Sequence, residues 1–350
     1  MIKNFDEVFE DVTKRGTKIK TDEYRLSGKH QIIDQGQEQV AGYTDLEDGV
    51  FENIPAIIFG DHTRIVKYID KPFFLGADGV KVLRSRFQDA NYRYLYYALK
   101  YVKIPNTGYN RHFKWLKESK IQYPCAEKQE EIVSVLNGVS KIIEYRQQQL
   151  QKLDELVRAR FIELFGNPET NPKGWTRQRF DQICENLDSR RVPITSTDRK
   201  AGNYPYYGAS GIVDYVEGYI FDEDILLISE DGANLVMRST PIAFSVSGKV
   251  WVNNHAHVVR FETKATQKYI EICFALTDIS GSITGTAQPK LNQAKLNAMM
   301  FCVPPIELQE QFAAFVEQTD KSKLTIQQSL DKLEVLKKAL MQQYFERGDA

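Results

Sequence analysis

The sequence predicts a duplicated α/β (α+β) protein. Each mixed globular part is followed by one long helix, and the two helices form an antiparallel coiled coil. Three observations predict this. Two long stretches match each other without a gap, both carry a sustained apolar heptad, and strand-like runs recur in one order ahead of each. With 350 residues, 42% hydrophobic and 27% charged, the chain can build a sizeable core.

The first matching stretch, from Pro124, reads PCAEKQEEIVSVLNGVSKIIEYRQQQLQKLDELVRARFIELF. The second, from Pro304, reads PPIELQEQFAAFVEQTDKSKLTIQQSLDKLEVLKKALMQQYF. Adding 180 carries Glu127 to Glu307, Gln129 to Gln309, Leu150 to Leu330, Leu153 to Leu333 and Phe165 to Phe345. A repeat this long duplicates a whole module and is no solenoid of short units. The expected segments are residues 1–123 (first globular part), 124–166 (central helix), 167–303 (junction and second globular part) and 304–350 (C-terminal helix).

The globular parts correspond more loosely. FDEV at Phe5 resembles FDQI at Phe180, and VFEN at Val50 resembles IFDE at Ile220. IPAIIFGD ends at Asp61 and DILLISED at Asp231, while ADGVKVLR (77–84) lies opposite NNHAHVVR (253–260). Strands are expected at Ala56–Phe59, Lys81–Leu83, Ile225–Ser229, Ile242–Val246 and His257–Phe261. Helices are expected at 92–102 and 267–279, with turns at Gly60-Asp61, Gly208–Gly211 and Asp231-Gly232.

In the central helix the seam is Ile132, Leu136, Val139, Ile143, Leu150, Leu153, Val157 and Leu164, interrupted by Arg146 and Arg160. In the C-terminal helix it is Phe312, Val316, Ile326, Leu330, Leu333 and Leu340, closed by Tyr344 and interrupted by Thr319, Lys323 and Lys337. Unlike interruptions suit two helices that pair with each other, with polar positions fixing register. A helix of this length spans roughly 58 Å at 1.5 Å per residue, and so works as a spacer. Antiparallel pairing would set the globular parts at opposite ends, related by a pseudo-twofold axis. The alternative is that each helix packs only on its own globular part.

After Phe165 come Gly166, Pro168, Pro172, Gly174 and Trp175, which end one module and open the next. The formal net charge of −1 announces no global basic field, although local patches decide nucleic-acid binding. Four scattered cysteines, no leader-like N-terminus and no long apolar run predict a cytoplasmic protein with no membrane span.

Basic residues cluster locally. Lys14, Arg15 and Lys18 stand near the start, and Arg111, His112 and Lys114 lie in the run YNRHFKWLK. The second part has Arg190, Arg191, Arg238 and the stretch QPKLNQAK. Basic residues mixed with amides and aromatics suit phosphate contact and base-edge readout, and each one alone also suits an ordinary solvated surface. No phosphate-binding loop, dinucleotide fingerprint or HExxH motif is present. His255 and His257 would share a strand face without further metal ligands, and Asp61 and Asp231 read as turn residues more readily than as an acid–base pair.

This order of domain, helix, domain, helix, with the helix entries EKQE after Pro124 and ELQE after Pro304-Pro305, LQKLDEL and the FIELFGNP…KGW junction, resembles the DNA-specificity subunit of a Type I restriction–modification system. The resemblance covers essentially the whole chain; Pro124-Cys125 departs from the Pro-Pro at 304–305. It implies a non-catalytic subunit whose two target-recognition domains read the halves of a split site in double-stranded DNA. It implies two methyltransferase subunits docked on the helices, and endonuclease/translocase subunits beyond them. S-adenosylmethionine, ATP and Mg would belong to those partners, and this chain would hold no cofactor. The reading residues are then expected at Gly60, Asp61, His62, Thr63, Arg64, Arg111, His112 and Lys114 in the first part. In the second they are expected at Asp231, Gly232, Asn234, Arg238, Gln288 and Lys290. The competing reading is a duplicated coiled-coil interaction scaffold that does not bind DNA.

Overall fold

The computed structural model describes residues 1–346 except Ala77, Tyr109 and Thr286. Tyr109 opens the basic run before the central helix, Ala77 opens the stretch set opposite NNHAHVVR, and residues 347–350 end the C-terminal segment; these lie outside the described residues. The chain divides into two compact units. One is Met1–Gln147 with the chain from Gln328, and the other is Gln148–Gln327. Each unit therefore holds one globular part and about half of each long helix.

In the first unit the strand Ala56–Gly60 is buried along its whole length, which explains an apolar run without alternation. It lies inside an antiparallel sheet ordered Phe9–Asp11, Val80–Ser85, Ala56–Gly60, Val66–Ile69. Alternate residues serve two cores. Ile57, Phe59 and Leu83 pack under the helix Tyr92–Tyr101. Ala56, Ile58 and Val82 pack on a second sheet, Gly42–Thr44, His30–Ile33, Phe73–Leu75, whose last two strands run parallel.

The second unit repeats this plan. Its central sheet is Glu185–Asn186, Ala256–Arg260, Ile225–Ser229, Ala243–Val246. Leu226, Ile228 and Val259 join the core of helix Lys264–Leu276, while Ile225, Leu227 and Val258 face the second sheet. That helix starts before the expected 267 because the Thr263 hydroxyl accepts the Thr266 N–H. The second sheet is Gly211–Val216, Ala201–Gly208, Lys249–Val252, Phe221–Asp222, again with one parallel pair. In each unit a short ribbon ties the start of the globular part to the segment entering a long helix. These ribbons are Ile2–Asn4 with Lys120–Gln122, and Arg177–Arg179 with Met300–Cys302.

The long helices are Ala126–Phe165 and Ile306–Phe345, 40 residues each, so the shift of 180 holds at both ends. In the first unit Ile132 and Leu136, near the start of one, share a core with Leu340, Tyr344 and Phe345 at the end of the other. In the second unit Val157, Phe161 and Phe165 share a core with Phe312 and Val316. Start meets end each time, so the helices pack antiparallel. Seam residues Ile132, Leu136, Ile143, Val157, Phe312, Val316 and Leu330 are buried. Val139, Leu150, Leu153, Leu164, Ile326, Leu333 and Leu340 are half-buried. Of the polar interruptions, Lys323 reaches across to Asp154 at 2.6 Å, and the Arg160 guanidinium lies 6.0 Å from the Phe315 ring.

The repeated motifs have local causes. Gln129 and Gln309 are buried, and each donates its amide to the carbonyl of the proline before its helix, Pro124 at 3.0 Å and Pro304 at 2.7 Å. At the junction Gly166 takes φ +78°, a left-handed C-cap that favours glycine. The Trp175 indole N–H donates to the Phe165 carbonyl at 2.9 Å, and the Lys173 ammonium to the Glu163 carbonyl at 2.7 Å. Both satisfy carbonyls that a helix end leaves open. Among the described residues no helix is long and apolar enough to cross a membrane.

A half-buried charge network centred on His257 links strands and loops of the second unit. Asp188 bonds His257 Nδ1 at 2.6 Å and accepts the Val258 N–H at 2.8 Å. His257 Nε2 faces the Leu291 carbonyl at 2.7 Å. Both ring nitrogens thus face acceptors. Arg191 joins Glu230 at 2.7 Å and Asp188 at 3.4 Å, and Lys290 closes on Glu230 at 3.1 Å. Burial would raise both carboxyls. For Asp188 the His257 hydrogen bond and charge, the Val258 N–H and Arg191 outweigh it. For Glu230 the bonds and charges of Arg191, His257 and Lys290 do so, and both acids end below their ordinary values.

Two outcomes are expected. Phe161 is fully buried, with ring centroids 5.0 Å from Phe165, 5.3 Å from Tyr269 and 5.4 Å from Phe312. Phe161→Ala should lower the unfolding free energy by about 3–5 kcal/mol in denaturant titration, against less than about 0.5 for Val335→Ala on the exposed helix face. The network carboxylates contribute fully above their ordinary values of 3.8 and 4.5, and lose that contribution as pH falls toward their lower folded values. Thermal unfolding between pH 5 and 3 should therefore be flatter for Asp188→Asn than for the wild type, and equal slopes would refute this role.

Candidate functional site

Three loops meet at one end of the central sheet in each unit. In the first they are the segment after Ala56–Gly60, the hairpin tip at 34–41, and the residues before the short helix Phe113–Lys117. Thr63 Oγ1 donates to the Gln35 carbonyl at 2.6 Å, and the Gln35 side chain accepts the His62 N–H at 3.1 Å. The Asp61 N–H donates to the Gly79 carbonyl at 2.7 Å, and the Asp61 carbonyl accepts the His112 N–H at 2.7 Å. One Asp61 carboxylate oxygen accepts the Phe113 N–H at 2.8 Å. Lys67, buried, bonds the Glu38 carbonyl from below and lies 3.4 Å from Asp34; burial lowers its pKa against the pull of Asp34.

These bonds sort the expected residues. Gly60, Asp61 and His112 are buried and hold the loops together, so they are internal ties rather than exposed contacts. Arg64 takes φ +62° and points a guanidinium nitrogen at the Ile104 carbonyl, 3.4 Å away. His62 is half-buried and Thr63 exposed. Arg111 and Lys114 are exposed, the latter 4.2 Å over the Trp115 ring. Lys18 pairs with Asp78 at 2.7 Å, and Arg15 with Glu10 at 3.6 Å, while Lys14 is exposed. The Lys18 hydrogen bond and charge, helped by Arg111, hold Asp78 below the ordinary carboxylate range. Lys18, Asp78 and Arg111 thus form one charged cluster beside Gln35, whose amide donates to the Asp78 carbonyl at 3.1 Å.

The second unit brings together the segment after Ile225–Ser229, the hairpin tip Gly208–Gly211, and residues 288–291 before the helix Gln293–Ala298. Ser229 Oγ donates to the Ala209 carbonyl. The Glu230 N–H donates to the His255 carbonyl at 2.9 Å, and the Glu230 carbonyl accepts the Leu291 N–H at 2.8 Å. These are the bonds that Asp61 makes in the first unit. Strand register agrees, since Gly60 faces Val80 where Ser229 faces Ala256. The residue equivalent to Asp61 is therefore Glu230. Asp231, matched to it by sequence, stands one place further on and bonds His255 at 2.9 Å.

Several expected contacts in this unit are already engaged. Arg190 pairs with Glu223 at 2.6 Å over the Phe221 ring, and Arg191 belongs to the half-buried network. Arg238, at φ +50°, donates to the Phe274 and Thr277 carbonyls at 2.8 and 3.0 Å, which makes it a cap for a neighbouring helix end. Asn234 accepts the Thr240 N–H at 3.0 Å and closes the turn. Gly232, at φ +106°, donates its N–H to the Pro289 carbonyl at 3.0 Å. Gln288 and Lys290 are exposed beside it. Sequence reasoning missed Gln35 and the two hairpin tips as parts of the site; the turn signal at Gly208–Gly211 was their only mark. Among the described residues no group of three His, Cys, Asp or Glu side chains is placed to hold a metal ion.

Comparison with known proteins bears on this arrangement. The family model described as the Type I restriction modification DNA specificity domain matches residues 1–155 and again 172–337. A putative type I restriction enzyme specificity subunit from Haemophilus influenzae is 33% identical over 138 residues, 39% of this chain and 35% of that relative. The MjaIX specificity subunit from Methanocaldococcus jannaschii is 23% identical over 260 residues, 65% of this chain and 60% of the relative. The chain thus spans less than two thirds of these relatives. The crystal structure of a Type I restriction–modification S subunit from M. genitalium superposes with a TM-score of 0.61 at 17% identity, covering 99% of this chain and 96% of that one. A chain from a structural study of type I R-M complex assembly and conformational transition gives 0.53 at 13% identity, covering 100% and 98%. These two likenesses show the fold. The doubled family match, with a matching loop cluster in each copy, shows that the chain belongs to the Type I restriction–modification DNA-specificity family and carries its domain twice.

Proposed function

We propose that this chain is the non-catalytic DNA-reading subunit of a Type I restriction–modification complex. Each unit reads one half of a split site in double-stranded DNA through its loop cluster. The observation that carries this reading is one scaffold used twice with different side chains at the same sheet end. The first unit offers Arg111, Lys114 and the Lys18–Asp78 pair, and the second offers Gln288, Lys290 and the Gly232 turn. Exposed cations suit phosphates, whereas amides and loop backbone suit base edges. The paired helices act as the spacer that sets the gap, and as the surface for two methyltransferase subunits. Endonuclease/translocase subunits join that core, and S-adenosylmethionine, ATP and Mg work in the partners.

Charge reversal of Arg111 and Lys114 tests the first cluster. The assembled complex should bind DNA more weakly, and the slope of log affinity against log salt should fall by about 0.9 for each phosphate that is no longer neutralised. Unchanged affinity and slope would remove this patch from the interface. Inserting seven residues into both helices at matched seam positions, which adds roughly 10 Å, should lengthen the gap between methylated half-sites. Methylation mapping that returned the original gap from an assembled complex would refute the spacer.

A further inference from the structure

The hairpin of the second unit carries a feature that the loop cluster does not account for. Gly211–Val216 is the edge strand of its sheet, paired only with Ala201–Gly208. A strand packed on a core buries alternate residues. Here Ile212, Val213, Asp214 and Tyr215 are all exposed, with Ile212 at 47% and Val213 at 56%. These four consecutive side chains are open to solvent, although the partner strand is paired on its other side with Lys249–Val252 and buries Tyr206 and Gly208. The hairpin is not loose. Its tip is tied to the sheet end by Ser229 and Ala209, and Asp214 lies 3.3 Å from Arg199. Val213 stands over Gly208, where an added Cβ would come within 3.1 Å of its side chain.

The thymine methyl is the apolar group that a base pair presents in the major groove. Exposed β-branched side chains on an edge strand, beside a tip tied into the loop cluster, match that chemistry, whereas amides or cations would match other base edges. The first unit shows the contrast, since its tip exposes Gln37, Glu38 and Gln39 and no aliphatic pair. We propose that Ile212 and Val213 read thymine methyl groups in the major groove of the half-site recognised by the second unit. This rests on the DNA-reading function proposed above. The tip of the first unit would then select a different base pattern.

Replacing thymine by uracil removes only the methyl, which makes the test direct. The recognised sequence is first obtained by methylation mapping, and duplexes carrying it are bound to the complex assembled from the full chain and its methyltransferase subunits. Uracil at one or two positions in one half-site should weaken binding about fourfold each, the factor for burying one methyl group. Ile212→Ala/Val213→Ala should bind the thymine duplex with that loss and become indifferent to uracil at the same positions, while uracil in the other half-site acts on both proteins alike. The proposal is overturned if the double variant keeps the wild-type response to uracil at every position. It is overturned equally if the variant fails to assemble with its partners, which would make this edge strand a protein-binding surface. Failure of the DNA-reading function is seen separately, as wild-type complex that shows no preference for any sequence.

Discussion

The antiparallel contact between the end of one long helix and the start of the other is the constraint on which the remaining structure depends. A narrow apolar seam on a 40-residue helix has no stable place in water unless another helix covers it. The cover is thickest where aromatic rings close the ends. Phe165 lies 5.5 Å from Phe312 and 4.8 Å from Tyr269, and Phe345 lies 5.6 Å from Tyr94. Tyr94 and Tyr269 belong to the helices that cover the central sheets. The same rings therefore fasten a long helix to its partner and to a globular part. In each unit the core under the sheet-covering helix is thus shared by segments far apart in sequence.

Within that frame the two copies solve one problem with different chemistry. Each must hold three loops against a sheet end while pairing the polar groups it buries, and the buried Arg64 Nε of the first unit is an exception. Both use an acidic residue after the central strand, whose backbone N–H and C=O tie two loops at once. The first unit then relies on neutral bonds through Gln35 and on the Asp61 carboxylate at Phe113. The second relies on Asp188, His257, Arg191 and Glu230. A buried ionic lattice is worth little unless complete, and losing one member leaves the others unpaired. The second copy thus places ionised groups where the first places neutral ones, although the backbone plan is shared.

This difference explains what can be read from the sequence. The helices, their register and the central strands are legible because burial forces periodic apolar residues and because duplication kept the spacing. The Gln129 and Gln309 match is visible as well, although its cause, a buried amide on a proline carbonyl, needs coordinates. The loops are legible only as places. Arg191 and Arg238 have the composition of nucleic-acid contacts, yet each closes an internal site, because a guanidinium serves a carboxylate or a helix-end carbonyl as well as a phosphate. Sequence pairs Asp61 with Asp231 because the acidic pair Glu230-Asp231 offers two registers, and only the strand ladder separates them.

Removing the engaged residues changes the physical character of the site. The cations left exposed are few, and Lys18 and Lys290 among them already face carboxylates. A surface of this kind attracts DNA less by field than a basic groove does, in keeping with a net charge of −1. In the proposed DNA-reading role, sequence preference would then come from short-range fit, meaning amides, backbone N–H groups and apolar side chains held in fixed positions. The dense internal bonding suits that proposed role. A loop that commits its charged residues to ties with its own scaffold presents fewer contacts, but presents them without the entropy cost of ordering at the moment of binding.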